Sequence, residues 1–374
     1  MTARGLEGVV AGTTQLSSII DGVLTYRGIN IDDLAEHASY EEVVHLLFFG
    51  TLPTRAELDD LRRQLSALRP LPDGLMTLLR TVPRDAVPMD TLRTAVSALG
   101  FYEERPNDTS RDVSVEKALR LVAQVPTIVA ALERLRRGQE PVPPPEATDT
   151  AHAFLLMLKG TAPDEVEVDA MNKILVLHAD HEFNASTFAA RVTAATLADM
   201  HAAVTAAVAA LKGPLHGGAN AAVMAALQEI GDLDGVEPYV LDKLARKERI
   251  MGFGHRVYMR RIDPRAALLE GYIEPLANEV PGGTALLETY RIVARTMREE
   301  KGLYPNADFP IGLIYHLLGI PRPLYTPIFF VARTAGLAAH VGEQHANNRL
   351  YRPRARYDGP RGLRVGAAPG ESAR

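Results

Sequence analysis

The sequence predicts a nearly all-α protein. Three observations carry the prediction: capping boxes that each open a run of apolar residues at helical spacing, a long stretch built on alanine, and no βαβ alternation or repeat of fixed period. The exception is at the start, where Thr13 to Ile20 and Val23 to Tyr26 flank Asp21-Gly22, a hairpin turn signal.

After that hairpin the chain turns helical. Ser39 with Glu42 and Thr54 with Glu57 are capping boxes, followed by Val43, Val44, Leu46 and Leu47 and by Leu58, Leu61 and Leu65. Pro53 and Pro70-Leu71-Pro72 separate these helices. Met89 to Leu99 and Ser114 to Leu135 continue the pattern up to the proline-rich stretch Gly138 to Pro145. That stretch is a surface connection rather than a domain boundary, because the periodicity resumes beyond it with unchanged composition. Asp164 to Leu211 reads as two long helices, the second rich in alanine and so suited to a tight core or a subunit interface. Beyond Arg349 the chain is rich in arginine, proline and glycine, and its last dozen residues are expected to be disordered, with a solvated tail as the alternative.

A chain of 374 residues can bury a large core and suggests two lobes. With 47% hydrophobic and 23% charged residues it has the composition of an ordinary globular protein. A net charge of -5 argues against a nucleic-acid binder. The absence of cysteine excludes disulfides, thiol catalysis and thiolate metal sites. The apolar segment from Ala202 to Leu211 is too short to span a bilayer, and the first residues lack the apolar core of a signal peptide, so the expected location is the cytoplasm.

Four polar clusters stand out of this apolar background. In LHADHEFNAST, His178 and His181 are three apart and share a helix face; a metal pair, a polar helix end and an anion-binding histidine are all open readings, although neither zincin pattern is present. In KGPLHGGAN, Gly213-Pro214 ends the alanine helix and puts His216 in a tight loop backed by glycines, as a site or a structural residue. In IMGFGHRVYMRRIDPR, Gly252 and Gly254 let backbone approach a ligand beside His255, or simply make a tight turn. In YPNADFP, Asp308 lies between prolines, either as a desolvated general base or as a helix N-cap.

These motifs, with DPR and the run TPIFFVARTAGLAAHVGEQ, together resemble the citrate synthase family, including its 2-methylcitrate synthase branch, over nearly the whole chain. The resemblance implies condensation of an acyl-CoA with oxaloacetate, then hydrolysis of the product thioester. It implies that Asp308 is the base, His216 the donor to the enol oxygen and His255 the donor to the ketone. It further implies that His181, Arg265, Arg333 and Arg352 hold oxaloacetate, the arginines by bidentate forks, with Arg352 supplied by the other subunit of a homodimer. CoA is expected at Arg246, Lys247, Arg249, Ile250, Gly252, Gly254 and Arg260, with a solvated charged face as the alternative. The implied architecture is a large helical domain, 1–217 and 318–374, and a small helical domain, 218–317. No tightly bound cofactor, metal, nucleic acid or membrane is expected. The spacing from His255 to Arg265 is one residue longer than the commonest family pattern and resembles methylcitrate-type members, as Glu182-Phe183-Asn184 does. Acetyl-CoA is the expected co-substrate and propionyl-CoA the alternative, since one methylene is worth only about 1–3 kcal/mol. A non-catalytic helical scaffold is the remote alternative.

Overall fold

A computed structural model describes residues 4–6, 8–254, 258 and 261–361. Among them are seventeen α-helices and one small sheet. The N-terminal hairpin forms as β1 (Ser17–Ile20) and β2 (Val23–Tyr26), with Ile20 opposite Val23 around Asp21-Gly22. A short third strand, β3 (Ile29–Asn30), adds to β2, so the element is a three-stranded antiparallel sheet rather than a bare hairpin.

Both expected capping boxes form: Ser39 opens Tyr40–Phe49 and Thr54 opens Arg55–Leu68. The two-helix reading of 164–211 is corrected to three helices, Glu165–His178, Ala185–Ala194 and Met200–Leu211. The extra break follows from two N-caps, Asn184 and Asp199, whose side chains accept backbone N–H bonds from the first turns that follow them. Leu197, just before Asp199, sits at φ 65, which no helix interior tolerates.

The helix Tyr325–Ala346 is the axis of the larger half. It packs against Arg111–Arg136, Ala185–Ala194, Met200–Leu211 and Glu165–His178, and is apolar on most of its circumference because it is covered on most sides. Gly336 within it donates its N–H to the Ala179 carbonyl at 3.1 Å. A Cβ there would stand 2.2 Å from that same oxygen, so only glycine lets the 179 backbone lie this close.

The helices Ala219–Glu229, Val236–Ala245, Pro264–Glu270, Ile273–Glu279, Gly283–Lys301 and Asp308–Leu317 pack among themselves in the other half. Phe309 is sandwiched there between Tyr290, stacked at 4.2 Å, and Phe253 at 4.5 Å. Among the described residues, polar contacts tie the halves together: Tyr272 donates to Asp169 Oδ2 at 2.8 Å, and Arg261 donates to the Asp21 carbonyl at the tip of the sheet. No described helix is long and apolar enough to cross a membrane.

Candidate active site

Two loops are zipped together to make one wall. Gly254 N–H donates to the Tyr304 carbonyl at 3.0 Å, Asn306 N–H to the Gly252 carbonyl at 2.9 Å, Asn306 Nδ2 to the Gly254 carbonyl at 3.0 Å, and Asp263 N–H to the Pro305 carbonyl at 3.2 Å. Gly252 (φ 89) and Gly254 (φ 73) both lie in the left-handed region, and a Cβ on Gly252 would press on Phe309 and Val223 at 2.9 and 2.8 Å. His255 and Arg260 lie outside the described residues.

Asp308 opens its helix instead of capping it. The cap position is Ala307, and Asn306 Oδ1 takes the Asp308 N–H at 3.0 Å. The carboxylate is therefore free of the capping role left open by the sequence. Burial pushes its pKa up to about 6, against the pull of Arg265 and Arg333 and with the push of Asp263. A carboxyl poised there is basic enough to take a proton and still ionised at neutral pH.

His216 sits in a tight turn, its N–H bonded to the Gly213 carbonyl at 2.9 Å, and Thr326 Oγ1 holds the next carbonyl, that of Gly217, at 2.6 Å. Gly217 is required, because a Cβ would come 2.2 Å from the Leu211 carbonyl oxygen. The Ser186 N–H donates to His216 Nε2 at 3.2 Å. An N–H can only donate, so Nε2 is the bare nitrogen and the single ring proton lies on Nδ1. Half-burial, helped by the Arg333 charge, lowers the pKa to about 4 and keeps the ring neutral.

The cations converge from two helices. Arg333, 1% exposed in the middle of Tyr325–Ala346, donates Nε to the His178 carbonyl at 2.7 Å and lies over the Phe329 ring at 4.9 Å. Burial lowers its pKa to about 10, with Asp180 and Asp308 pulling the other way, so it stays charged. Arg265, in the first turn of Pro264–Glu270, is forked onto Asp263: Nε to Oδ1 at 3.1 Å and Nη2 to Oδ2 at 2.7 Å. Burial opposes its charge, but Asp263 outweighs it and holds the guanidinium protonated.

His178 and His181 are not on one helix face, because the helix ends at His178 and His181 follows in the turn. His178 Nδ1 is spent on the Ile174 carbonyl at 2.9 Å, and burial with Arg265 and Arg333 nearby drives its pKa to about 3. His181 faces the buried Tyr258 ring edge-on, at 6.4 Å between centroids. Among the described residues no group of three or more His, Asp or Glu side chains is placed to hold a metal ion.

The remaining expected residues stand apart. Arg352 is exposed and donates only to the Pro353 carbonyl, its own neighbour. Arg246 is paired with Asp242 and Glu248 at 2.6 and 3.2 Å, while Lys247 and Arg249 are exposed and Ile250 half-buried. Sequence reasoning missed Ser186, which fixes the His216 tautomer, and Tyr26, whose hydroxyl meets the backbone at Leu177 and Asp180. Asp263, two residues before Arg265 in the DPR motif, is a further such residue, since it pairs with that guanidinium.

The family profile described as citrate synthase, C-terminal domain, matches residues 5–354. The chain is 49% identical to citrate synthase 2 of Bacillus subtilis (strain 168), over 96% of this chain and 97% of that one. It is 45% identical to the citrate/2-methylcitrate synthase of the same organism, over 96% of each. The solved ternary complex of carboxymethyl coenzyme A and oxaloacetate with citrate synthase from Thermoplasma acidophilum superposes with a TM-score of 0.92 at 34% identity, covering 99% of this chain and 98% of that one. These matches span nearly the whole chain, and the chain belongs to the citrate synthase family.

Proposed function

We propose that the protein condenses acetyl-CoA with oxaloacetate and hydrolyses the resulting citryl-CoA to citrate and CoA. The observation that carries this reading is Asp308, a buried carboxyl pushed up to about 6, which shares the field of Arg333 with the neutral His216. Asp308 removes a proton from the methyl carbon of the acetyl thioester, and His216 Nδ1–H donates to the oxygen that becomes the enol. The enol carbon then attacks the ketone of oxaloacetate, whose oxygen receives a proton from His255. Water finally cleaves the thioester, releasing CoA.

Arg265 and Arg333 supply the positive field for the two carboxylates of oxaloacetate, with His181 as a further donor. Arg352 projects from the surface of the single chain, which fits a role across the interface of a cytoplasmic homodimer. The large domain of this reading is 1–217 with 318–374 and the small one 218–317. Opening of the Tyr272–Asp169 and Arg261–Asp21 contacts would admit substrate, and their closure would exclude water. CoA phosphates would lie along Arg246, Lys247, Arg249, Arg260 and Ile250, with the Gly252 and Gly254 backbone beneath.

A second reading, 2-methylcitrate synthesis from propionyl-CoA, is favoured by the 45% identity to a relative named for both products. Both are tested by release of CoA thiol with oxaloacetate and either acyl-CoA, which a thiol reagent reads without background because the chain has no cysteine. Acetyl-CoA is expected to give the higher kcat/KM. A higher value with propionyl-CoA reverses the order, and no thiol release with either refutes the reading.

A further inference from the structure

The turn that carries His181 is held from all sides by groups far away in the chain. Tyr26 Oη donates to the carbonyls of Leu177 and Asp180 at 3.2 and 3.1 Å and receives the Asp180 N–H at 3.3 Å. Arg333 takes the His178 carbonyl, and Gly336 the Ala179 carbonyl. Ser17 Oγ donates to Asp180 Oδ2 and accepts the Glu182 N–H at 3.0 Å.

Behind Asp180 runs a chain of charged and polar groups that the condensation chemistry does not use. His340 Nε2 lies 3.1 Å from Asp180 Oδ2, and both side chains are fully buried. Arg191 Nη1 lies 3.0 Å from His340 Nδ1 and donates to Glu343 Oε2 at 2.6 Å. A guanidinium has no acceptor, so Nδ1 must be the bare nitrogen and Nε2–H the donor to Asp180. Burial opposes the Asp180 charge, but His340, Arg333 and Ser17 outweigh it and hold the carboxyl below its ordinary range. Such a buried polar chain is no better for stability than apolar packing of the same volume. Its far end is the residue next to His181.

We propose that His340, locked in one tautomer by Arg191, is a positioning residue: through Asp180 it sets the turn that aims His181 and holds the His178 carbonyl against Arg333, and so tunes oxaloacetate binding. This rests on the oxaloacetate site proposed above. The donor at Nε2, not the bulk of the ring, is what the site needs.

The test compares His340→Leu, which keeps bulk and loses the donor, with His340→Gln, whose amide nitrogen falls near the lost Nε2. The full chain is assayed for both KM values, kcat, and the rise in melting temperature with oxaloacetate alone. His340→Leu is expected to raise the oxaloacetate KM about tenfold or more and shrink the oxaloacetate-induced rise, with the acetyl-CoA KM within about twofold of wild type. His340→Gln is expected to recover to within about threefold. An unchanged oxaloacetate KM in a folded His340→Leu protein, or a His340→Gln protein no better than His340→Leu, overturns the proposal. If His340→Leu does not fold, Ser17→Ala carries the test, since it removes the second donor to Oδ2 at little cost in packing. A rise of about threefold in the oxaloacetate KM is then expected, and none overturns the proposal. A wild-type protein with neither thiol release nor an oxaloacetate-induced rise instead refutes the substrate reading itself.

Discussion

Segment 177–182 and the paired loops around 252–254 and 304–308 face the same patch of charge, yet they are held in different ways. In the first, the successive carbonyls of Leu177, His178, Ala179 and Asp180 each meet a donor from another part of the chain. In the second, the backbone is bonded mainly between the two loops, through glycines at positive φ, with Asp263 N–H added at the Pro305 carbonyl, and Asp308 is left desolvated. The first arrangement suits recognition of a fixed, doubly charged ligand, which rewards preorganisation. The second suits chemistry, because a carboxyl made comfortable by hydrogen bonds would be too weak a base.

Breaking the chemical side should cost most. Asp308→Ala is expected to lower kcat by about 10³-fold while the oxaloacetate-induced rise in melting temperature survives, read by thiol release and a thermal shift. Loss of that rise along with turnover would mean that the two sides are not separable. Arg333→Leu tests the recognition side: oxaloacetate affinity should fall about 100-fold, measured by calorimetry, because a buried charge-assisted anchor is removed.

Gly252→Ala sharpens the comparison from the backbone. A left-handed residue that also presses on Phe309 should destabilise by about 1–3 kcal/mol and lower kcat more than it raises the oxaloacetate KM. The pH profile comes next. The Asp308 carboxyl is raised from its ordinary value, so it is protonated below about pH 6 and ionised above it. The kcat/KM for acetyl-CoA should therefore fall about tenfold per unit as pH drops below 6, with no opposing limb from His216, already neutral above about 4. A rate flat down to pH 5 would contradict the assignment of the base. Tyr272→Phe, which removes the contact to Asp169, should have the smallest effect, a change of about threefold or less in either KM.

What was readable in the sequence was local. The hairpin turn, the capping boxes at Ser39 and Thr54, the glycine-backed loop of His216 and the proline-flanked Asp308 each depend on neighbours within a few residues. Asn184 and Asp199 are good N-caps that divide 164–211, but the unbroken apolar and alanine pattern around them masks both breaks in the sequence. Arg246 pairs with Asp242, one helical turn earlier, a partner that the i,i+4 spacing makes legible. The polar chain behind His181 had no local signal. Its links join residues 163, 160 and 149 positions apart, and each member taken singly reads as an ordinary side chain.

That distance along the chain also governs how the molecule comes into being. Gln15 N–H bonds to Glu343 Oε1, 328 positions later, and Tyr40 hydroxyl meets carbonyls of Val331 and Ala332. During synthesis the first strand therefore emerges long before its seat exists, and the site proposed for oxaloacetate can be completed only after nearly all of the polypeptide has left the ribosome. Contacts of such long range make for slow closure, and they couple the birth of the catalytic centre to the last helix rather than to the first.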